Sequence, residues 1–525
     1  MANMFKSPGN AGVIQGKPDY QDCSDKTSFW VLFVTILGSG MAFIDGTAVN
    51  VALPVLQTEL NATVVDVQWI VESYALFLAA LILVGGSLGD KFGRKLIYKI
   101  GIVIFAIASA FCGFSHNVNE LIIARAFQGI GAALLVPGSL SIISSFFSIE
   151  ERGKAIGTWA GFATITAALG PVLGGWLIEN ESWRWIFFIN IPIAVIVLGV
   201  LYFRVPESKD ENYPALDYYG AAAITLGLAG LVFGLIESSI YGFYNYIVIL
   251  SLTFGVIFFS LFIYIERNID NPMMPLSLFK SRQFTGANII TFLIYSALSG
   301  ALFFIPFDFI QVHSYSATKA GIAFLPFILL MFFLSRPMGI LVDKYGARIP
   351  LVVGSLISGC GYLLFSLAGH DGEYWSNFFP AIVVLGLGKA LCVAPLSTSV
   401  MTAVSENNVG VASGINNAVT RTAALVSVAV FGILVFTFFN SRLDLHIETM
   451  TFQDYVREIL KDQRIKLAAA ELPHTIDAEM GKHLRYIINN SFLHSFNMVL
   501  YISAGLCFIS SAVAYFLIPT KKNMR

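Results

Sequence analysis

Charge is what this sequence has least of. Asp, Glu, Lys and Arg make up 12% of its 525 residues while 56% are apolar, so the charged share is about half of that usual in a soluble domain. With a mean hydropathy of +0.74, this excludes an ordinary soluble protein and leaves an all-α polytopic membrane protein. A bias of sign is also missing: 32 basic residues balance 33 acidic ones, without the basic excess that a nucleic-acid partner would demand. The five cysteines, Cys23, Cys112, Cys360, Cys392 and Cys507, fall mostly inside apolar runs. They read as small hydrophobic residues, and no disulfides are expected. No phosphate-binding glycine loop is visible, so neither ATP nor another cofactor is implied. A membrane enzyme would need a nucleophile, histidine and acid clustered at membrane depth, or His and Glu at metal-ligand spacing, and the sequence offers neither. The polar start, residues 1–28, leads into an apolar run too long for a signal peptide, so that run is expected to stay as a helix.

What is present is a repeat. Gly86-Ser-Leu-Gly-Asp-Lys-Phe-Gly-Arg-Lys95 joins two apolar runs, and Gly339-Ile-Leu-Val-Asp-Lys-Tyr-Gly-Ala-Arg348 reproduces it in register. A repeated charged junction between hydrophobic helices points to two related halves. Spans of about 20 apolar residues are needed to cross a bilayer. They are expected over 29–53, 67–88, 96–114, 120–146, 155–178, 185–202, 218–236, 244–265, 284–311, 320–342, 349–367, 377–400, 409–439 and 495–517, about fourteen in all. Lys91, Arg94, Lys95, Arg152, Lys154, Arg204, Lys280, Arg282, Lys344 and Arg348 gather in short loops on one face. That makes this face, both junctions and both termini cytoplasmic. Loop 440–494 is then external. Within it Phe452, Val456, Ile459, Leu460 and Leu467 recur at helical spacing after a Thr451/Asp454 cap and before Pro473. They predict an amphipathic helix lying on the outer surface.

These residues carry a resemblance. The sequence resembles the major facilitator superfamily and, within it, the fourteen-helix drug/proton antiporters, over almost the whole chain. Both junctions are similar to the superfamily signature between helices 2 and 3, and Leu121-x-x-x-Arg125-x-x-Gln128-Gly129-x-Gly131 to its helix 4 motif. Gly157 through Gly170-Pro171-Val-Leu-Gly174-Gly175 resembles the helix 5 antiporter motif, with Thr166 standing where that pattern usually has a glycine. Asp45-x-Thr47-x-x-Asn50, Trp183 to Pro192 and Gly410-x-x-x-Gly414-x-Asn416-Asn417-x-x-x-Arg421 resemble further features of that branch. The resemblance implies a major facilitator fold: two six-helix bundles, 29–203 and 283–518, around a central cavity. An inserted two-helix linker occupies 204–282, with tails at 1–28 and 519–525. It also implies a multidrug-type exporter in the cytoplasmic membrane, driven by protons and rocking between inward-open and outward-open states. An accessory export protein is left open as a partner. The alternatives are an exporter or flippase of an anionic or zwitterionic lipid, fatty acid or siderophore, and a non-transporting receptor. A nutrient symporter is disfavoured only by the helix 5 motif.

Ionisable residues within spans are costly and face a cavity or a partner. At 1.5 Å per residue, Asp45, Glu72 and Arg125 all lie roughly 10 Å below the outer surface. They are expected to form a proton-coupling group in which the two acids share the arginine; a structural ion pair, or a bond from Asp45 to Thr47, is the plainer reading. Lys389 and Arg421 lie near mid-membrane, roughly 18 to 20 Å from a helix end, and are expected at substrate or coupling depth. Asp308 is their partner, a third proton site, or a residue that snorkels outward. Trp69 and Tyr74, flanking Glu72, are expected as cavity walls, and Trp183 and Trp185 as interface anchors. Gly86, Asp90, Gly93 and Arg94 suit a conformational latch, with Asp90 pairing with a base or meeting a helix N-terminus. Asp343 and Arg348 make a weaker latch, since Ala347 replaces the arginine. Gly157, Gly170, Pro171, Gly174 and Gly175 suit close packing and gating. The seven histidines fall in or beside predicted outer loops, as solvated residues or as sensors of external acidity. Their spacing matches no metal site, and none is assigned.

Overall fold

The computed structural model describes residues 25–209, 217–270, 272–370, 372–405, 408–449, 454–473 and 476–520. Cys23, Thr451, Phe452, His474 and the side chain of Asp343 lie outside the described residues. Fourteen of the described helices are long and apolar enough to cross a membrane, as the apolar runs predict. The first half comprises α1 (Asp25–Glu59), α2 (Val64–Phe92), α3 (Arg94–Phe114), α4 (Val118–Phe146), α5 (Ile149–Asn180), α6 (Trp185–Phe188) and α7 (Asn190–Arg204). Next come α8 (Tyr218–Tyr241) and α9 (Tyr246–Asn268). The second half holds α10 (Arg282–Phe307), α11 (Ala317–Ala323), α12 (Leu325–Tyr345), α13 (Arg348–Phe365), α14 (Phe379–Met401), α15 (Val409–Thr449), α16 (Asp454–Gln463) and α17 (Ala478–Leu517).

Local chemistry explains the boundaries. Thr63 and Asp66 close a reciprocal capping box at the start of α2, and Asn117 accepts from the Glu120 amide at 2.9 Å to start α4; each satisfies an otherwise orphaned helix-end donor. The two junctions turn on glycine: Gly93 has φ of 121° and Gly346 of 80°, backbone geometry that a Cβ disfavours. Glycine also sets the spacing of the first half. A Cβ on Gly85 would strike the Ala133 carbonyl, and one on Gly129 the Tyr74 backbone, so α2 and α4 pack with backbones nearly touching. The residue missing from the helix 5 motif is offset from across the interface. The methyl of Thr166 packs against Gly40 of α1, where there is no side chain to displace.

The ends of three helices differ from the apolar runs. α1 continues through Pro54 to Glu59, where the Glu59 carboxylate accepts from the Trp183 indole at 2.9 Å. Trp183 is therefore fully buried, not an interface anchor; Trp185 is half exposed. α15 runs on from Phe439 to Thr449, about 15 Å further, and α17 starts at Ala478, about 25 Å before Ser495. Their extensions carry the segment 454–473 as a cap on the end remote from the junctions, not as a helix lying on the surface. Val456, Leu460, Leu467 and Ala468 are buried in the main apolar core. Arg464 pairs with Asp444 at 2.8 Å and Arg485 donates to the Ala468 carbonyl at 3.1 Å. Only Val456, Ile459 and Leu460 of the apolar stripe share a face of α16, and that face meets protein; the helix ends at Gln463, well before Pro473, and Leu467 lies beyond it with a positive φ of 53°.

The cap joins both halves. The Gln57 amide of α1 donates to the Lys466 carbonyl at 3.1 Å, and Gln311 donates to Gln57 at 2.9 Å. Along the same end, Gln68 of α2 donates to the Val428 carbonyl of α15 at 3.0 Å, and the Thr318 amide donates to Glu179 at 3.3 Å. α5 and α11 meet backbone to backbone, Gly175 against Ala317 and Gly321 against the Pro171 carbonyl. At this remote end the seam between the halves is shut. At the junction end it is parted by a cavity.

Candidate functional site

That cavity measures about 710 Å³ and is lined from both halves. Its mouth carries Asp90, Asp217 and Asp270; Trp159 and Phe43 form an aromatic wall, and Arg421 lies at its deep end. Arg421 also lines a smaller cavity of about 180 Å³, further from the mouth, together with Asn50, Glu72, Tyr74 and Arg125. A route with an acidic entrance and an aromatic wall therefore ends at a guanidinium, beyond which lies a buried acid.

The deepest element is a charged network in the first half. Asp45 of α1 and Arg125 of α4 are buried and meet at 2.5 Å. Arg125 also donates to Gln128 at 2.7 Å and to the Ile70 carbonyl at 3.1 Å, while Gln128 donates to the other Asp45 oxygen at 2.8 Å. The Arg125 guanidinium lies 4.2 Å from the Tyr74 ring centroid, a stacking arrangement that suits a partly desolvated cation. Ser109 connects Gln128 to Asn190. With its hydrogen bonds filled on three sides, the pair is held in one geometry. Thr47 donates instead to the Phe43 carbonyl, so it is not the partner of Asp45.

Glu72 does not share this arginine. Among the described residues neither of its buried carboxylate oxygens has a hydrogen-bond partner, and Glu72 lines the smaller cavity. An unpaired buried acid is costly, and this one stands where it could exchange a proton or a cation with the cavity.

Three expected site residues turn elsewhere. Trp69 donates to Glu237 of α8 at 2.9 Å and packs on Phe233; it fastens α8 to α2 and is no cavity wall. Lys389 is 2% exposed, donates to the Ile294 carbonyl at 2.6 Å and lies over Tyr295. It lines neither central cavity, because its azimuth on α14 points into the helix packing. Asp308 is partner to neither Lys389 nor Arg421 and does not snorkel. It is buried at a π-helical turn, Asp308–Val312, at 3.4 Å from the His313 ring.

His313 is a site that the spacing of histidines did not reveal. Its two ring nitrogens face the carbonyls of Asp308 and Gly369, both at 3.1 Å. Burial opposes its charge, yet the Asp308 carboxylate and these carbonyls carry its pKa above the usual histidine value. A raised value means that the contact is fully present below about pH 6.5 and is lost as pH rises through the raised pKa. The protection of amides 308–315, their exchange rate relative to the intrinsic base-catalysed rate at each pH, is therefore expected to be high in acid and to fall as pH rises through that value. His313→Gln is expected to remove the pH dependence, and an unchanged profile would contradict the pairing.

Of the two contacts expected of Asp90, the structure shows the pairing with a base. Asp90 pairs with Arg94 of its own junction at 2.7 Å and lines the cavity mouth opposite Gly410 at the start of α15. The N-terminus of α3 is met by Glu207, whose two oxygens accept from the amides of Lys95 and Leu96 at 2.8 and 3.0 Å. An anion there complements the helix dipole. Glu207→Gln is expected to speed hydrogen exchange of those two amides roughly fivefold; no change would remove the cap from the account. In the second junction Arg348 lies over Tyr515 of α17 at 4.3 Å, turned away from the cavity. In the helix 5 motif, Gly170 and Gly174 pack on Thr47 and Ala48 of α1, Gly175 and Pro171 form the remote seam, and Gly157 faces open space.

The comparisons agree with this architecture. A profile described as Major Facilitator Superfamily matches residues 35–429. The chain is 32% identical to the multidrug resistance protein Stp of Mycobacterium tuberculosis (strain CDC 1551 / Oshkosh), over 83% of this chain and 81% of that one. It is 32% identical to a methylenomycin A resistance protein of Bacillus subtilis (strain 168), covering 79% and 89%. To the tetracenomycin C resistance and export protein of Streptomyces glaucescens it is 28% identical, covering 92% and 90%. Among solved structures, an inward-facing, unoccupied bacterial homologue of the human lysosomal transporter Spinster superposes with a TM-score of 0.67 at 18% identity, over 94% of this chain and 98% of that one. The xylose transporter XylE of E. coli, in an inward-open conformation, gives 0.58 at 14%, covering 94% and 97%. With fourteen apolar helices, a cavity parting its two halves and a matching profile over most of its length, this chain belongs to the Major Facilitator Superfamily.

Proposed function

We propose that this protein is a proton-coupled antiporter that exports amphipathic organic compounds across the cytoplasmic membrane. The observation that carries the reading is that Arg421 lines both cavities: the larger, about 710 Å³, has room for an amphipath, and the smaller is lined by Glu72 and by Arg125 of the Arg125–Asp45 pair. Protonation of Asp45 or Glu72 would change the charge facing Arg125 and Arg421 and so bias the two arrangements of the halves. The sequence carries no phosphate-binding glycine loop, which supports the proton gradient as the energy source. The multidrug and antibiotic resistance proteins among its relatives support organic substrates.

The basic short loops support a cytoplasmic junction end, with both termini on that side. The open cavity is then inward-facing, and the capped seam closes the outer face. In this reading 29–203 and 283–518 rock as units while 204–282, with α8 fastened to α2 through Trp69 and Glu237, serves as linker. Asp90 and Arg94 form the latch of the first half. When the cavity shuts, Asp90 is brought to the start of α15 on the opposite wall.

A strain lacking the gene, challenged with chemically diverse toxins, tests the reading. Sensitivity should rise several-fold to a set of amphipathic compounds and return to normal with the wild-type gene. It should not return with a variant whose cavity is filled, such as Gly414→Trp. Equal sensitivity to every compound with and without the gene would overturn drug export.

A further inference from the structure

A further cavity, of about 630 Å³, plays no part in the central route. It lies at the remote end of the second half, between α11–α12 and the π-helical turn Tyr374–Phe378 that opens α14. Its walls are apolar apart from two charges, with four aromatic rings, Tyr315, Tyr374, Trp375 and Phe379. Trp375 is 74% exposed and packs at 5.1 Å on Phe379. The Tyr374 hydroxyl donates to the Ala323 carbonyl at 3.1 Å and ties the two walls together.

The lining carries two charges of opposite sign. The Lys319 ammonium lies 3.9 Å from the Tyr315 ring centroid, and Glu373 stands at the start of the π-helical turn. Lys319 sits in the first turn of the span beginning at Ala317, and Glu373 immediately precedes the span beginning at Tyr374. Both charges are therefore at the depth of a lipid headgroup, with the exposed Trp375 ring beside them, the position aromatic belts occupy. The void is of ligand size. A cation on one wall and a carboxylate on the other complement a head bearing both phosphate and ammonium. The apolar rings give acyl chains a surface that a free zwitterion would leave unused.

We propose that this cavity binds a zwitterionic phospholipid of the phosphatidylethanolamine type. Its phosphate lies on Lys319, its ammonium on Glu373, and the start of its chains against Trp375 and Phe379. Lys319 follows Thr318, whose amide is held by Glu179 across the shut seam, so the bound headgroup braces α11 beside that seam.

The test places the purified full chain in nanodiscs of equal phosphatidylethanolamine and phosphatidylglycerol and reads retained lipid by native mass spectrometry. Wild type is expected to enrich phosphatidylethanolamine. Glu373→Gln should erase that preference while leaving phosphatidylglycerol retention unchanged, which also reports an intact fold. Lys319→Gln should weaken retention of both lipids about tenfold, the effect of one lost charge-assisted hydrogen bond. Wild type without a preference, or a Glu373→Gln variant that keeps it, would overturn the proposal.

Discussion

Asp45→Asn is expected to abolish proton-driven export while leaving substrate-for-substrate counterflow. Asparagine keeps the shape of the side chain and one acceptor for Arg125, and the Arg125 bond to the Ile70 carbonyl survives, while its amide nitrogen replaces the oxygen that accepts from Gln128 and that one hydrogen bond is lost. It also loses the charge that compensates a buried guanidinium. Removing one member of a buried pair commonly costs about 3 to 5 kcal/mol, so a lower melting temperature should accompany the change. Counterflow separates the two effects, because it needs binding and rocking but no titration. Wild-type coupling in this variant would remove Asp45 from the proton pathway, and loss of counterflow together with coupling would make the pair structural.

Gly175→Val is expected to hold the remote seam ajar and to reduce transport at least about fivefold. A Cβ at Gly175 would enter the Ala317 backbone, and the facing Gly321 already lies against the Pro171 carbonyl. Neither side has a flexible side chain that can yield. Overpacking of this kind costs about 1 to 3 kcal/mol, which shifts a two-state equilibrium by roughly five- to 150-fold. The arrangement penalised is the one with the shut seam. A single cysteine introduced at Gln57 or Gln311, which bond to each other across that seam, should react faster with a polar maleimide in the Gly175→Val background. Unchanged labelling and wild-type transport would mean that the α5–α11 contact carries no gating.

The sequence was legible where depth along a helix decided the outcome. Asp45 and Arg125 were placed at one level by counting residues, and the structure brings them into contact; the paired glycines at 93 and 346 announced the two sharp turns. Azimuth was not legible. Lys389 and Trp69 have the right depth but point at Ile294 and Glu237, because a span buried on most sides has no single apolar stripe from which to read its facing. Partners distant in sequence were hidden for a different reason. Glu207 reaches Lys95 and Leu96 from beyond α7, and Gln57 reaches Lys466 from the far side of the chain. Gln128 and Asn190 stood inside the motifs yet gave no sign that they complete the Arg125 network. The cap over 454–473 was not legible because hydropathy falls where α15 and α17 leave the apolar layer, although their helices continue.

The most direct measurement of the central claim is proton movement in proteoliposomes. Purified protein is reconstituted with a pH-sensitive dye, a proton gradient is imposed, and a toxin identified by the susceptibility screen is added. Antiport predicts that substrate moves against the proton flux and that its addition dissipates the gradient faster in wild type, with no such acceleration in Asp45→Asn. Substrate flux that is indifferent to the gradient, or equal proton release from both proteins, would contradict it.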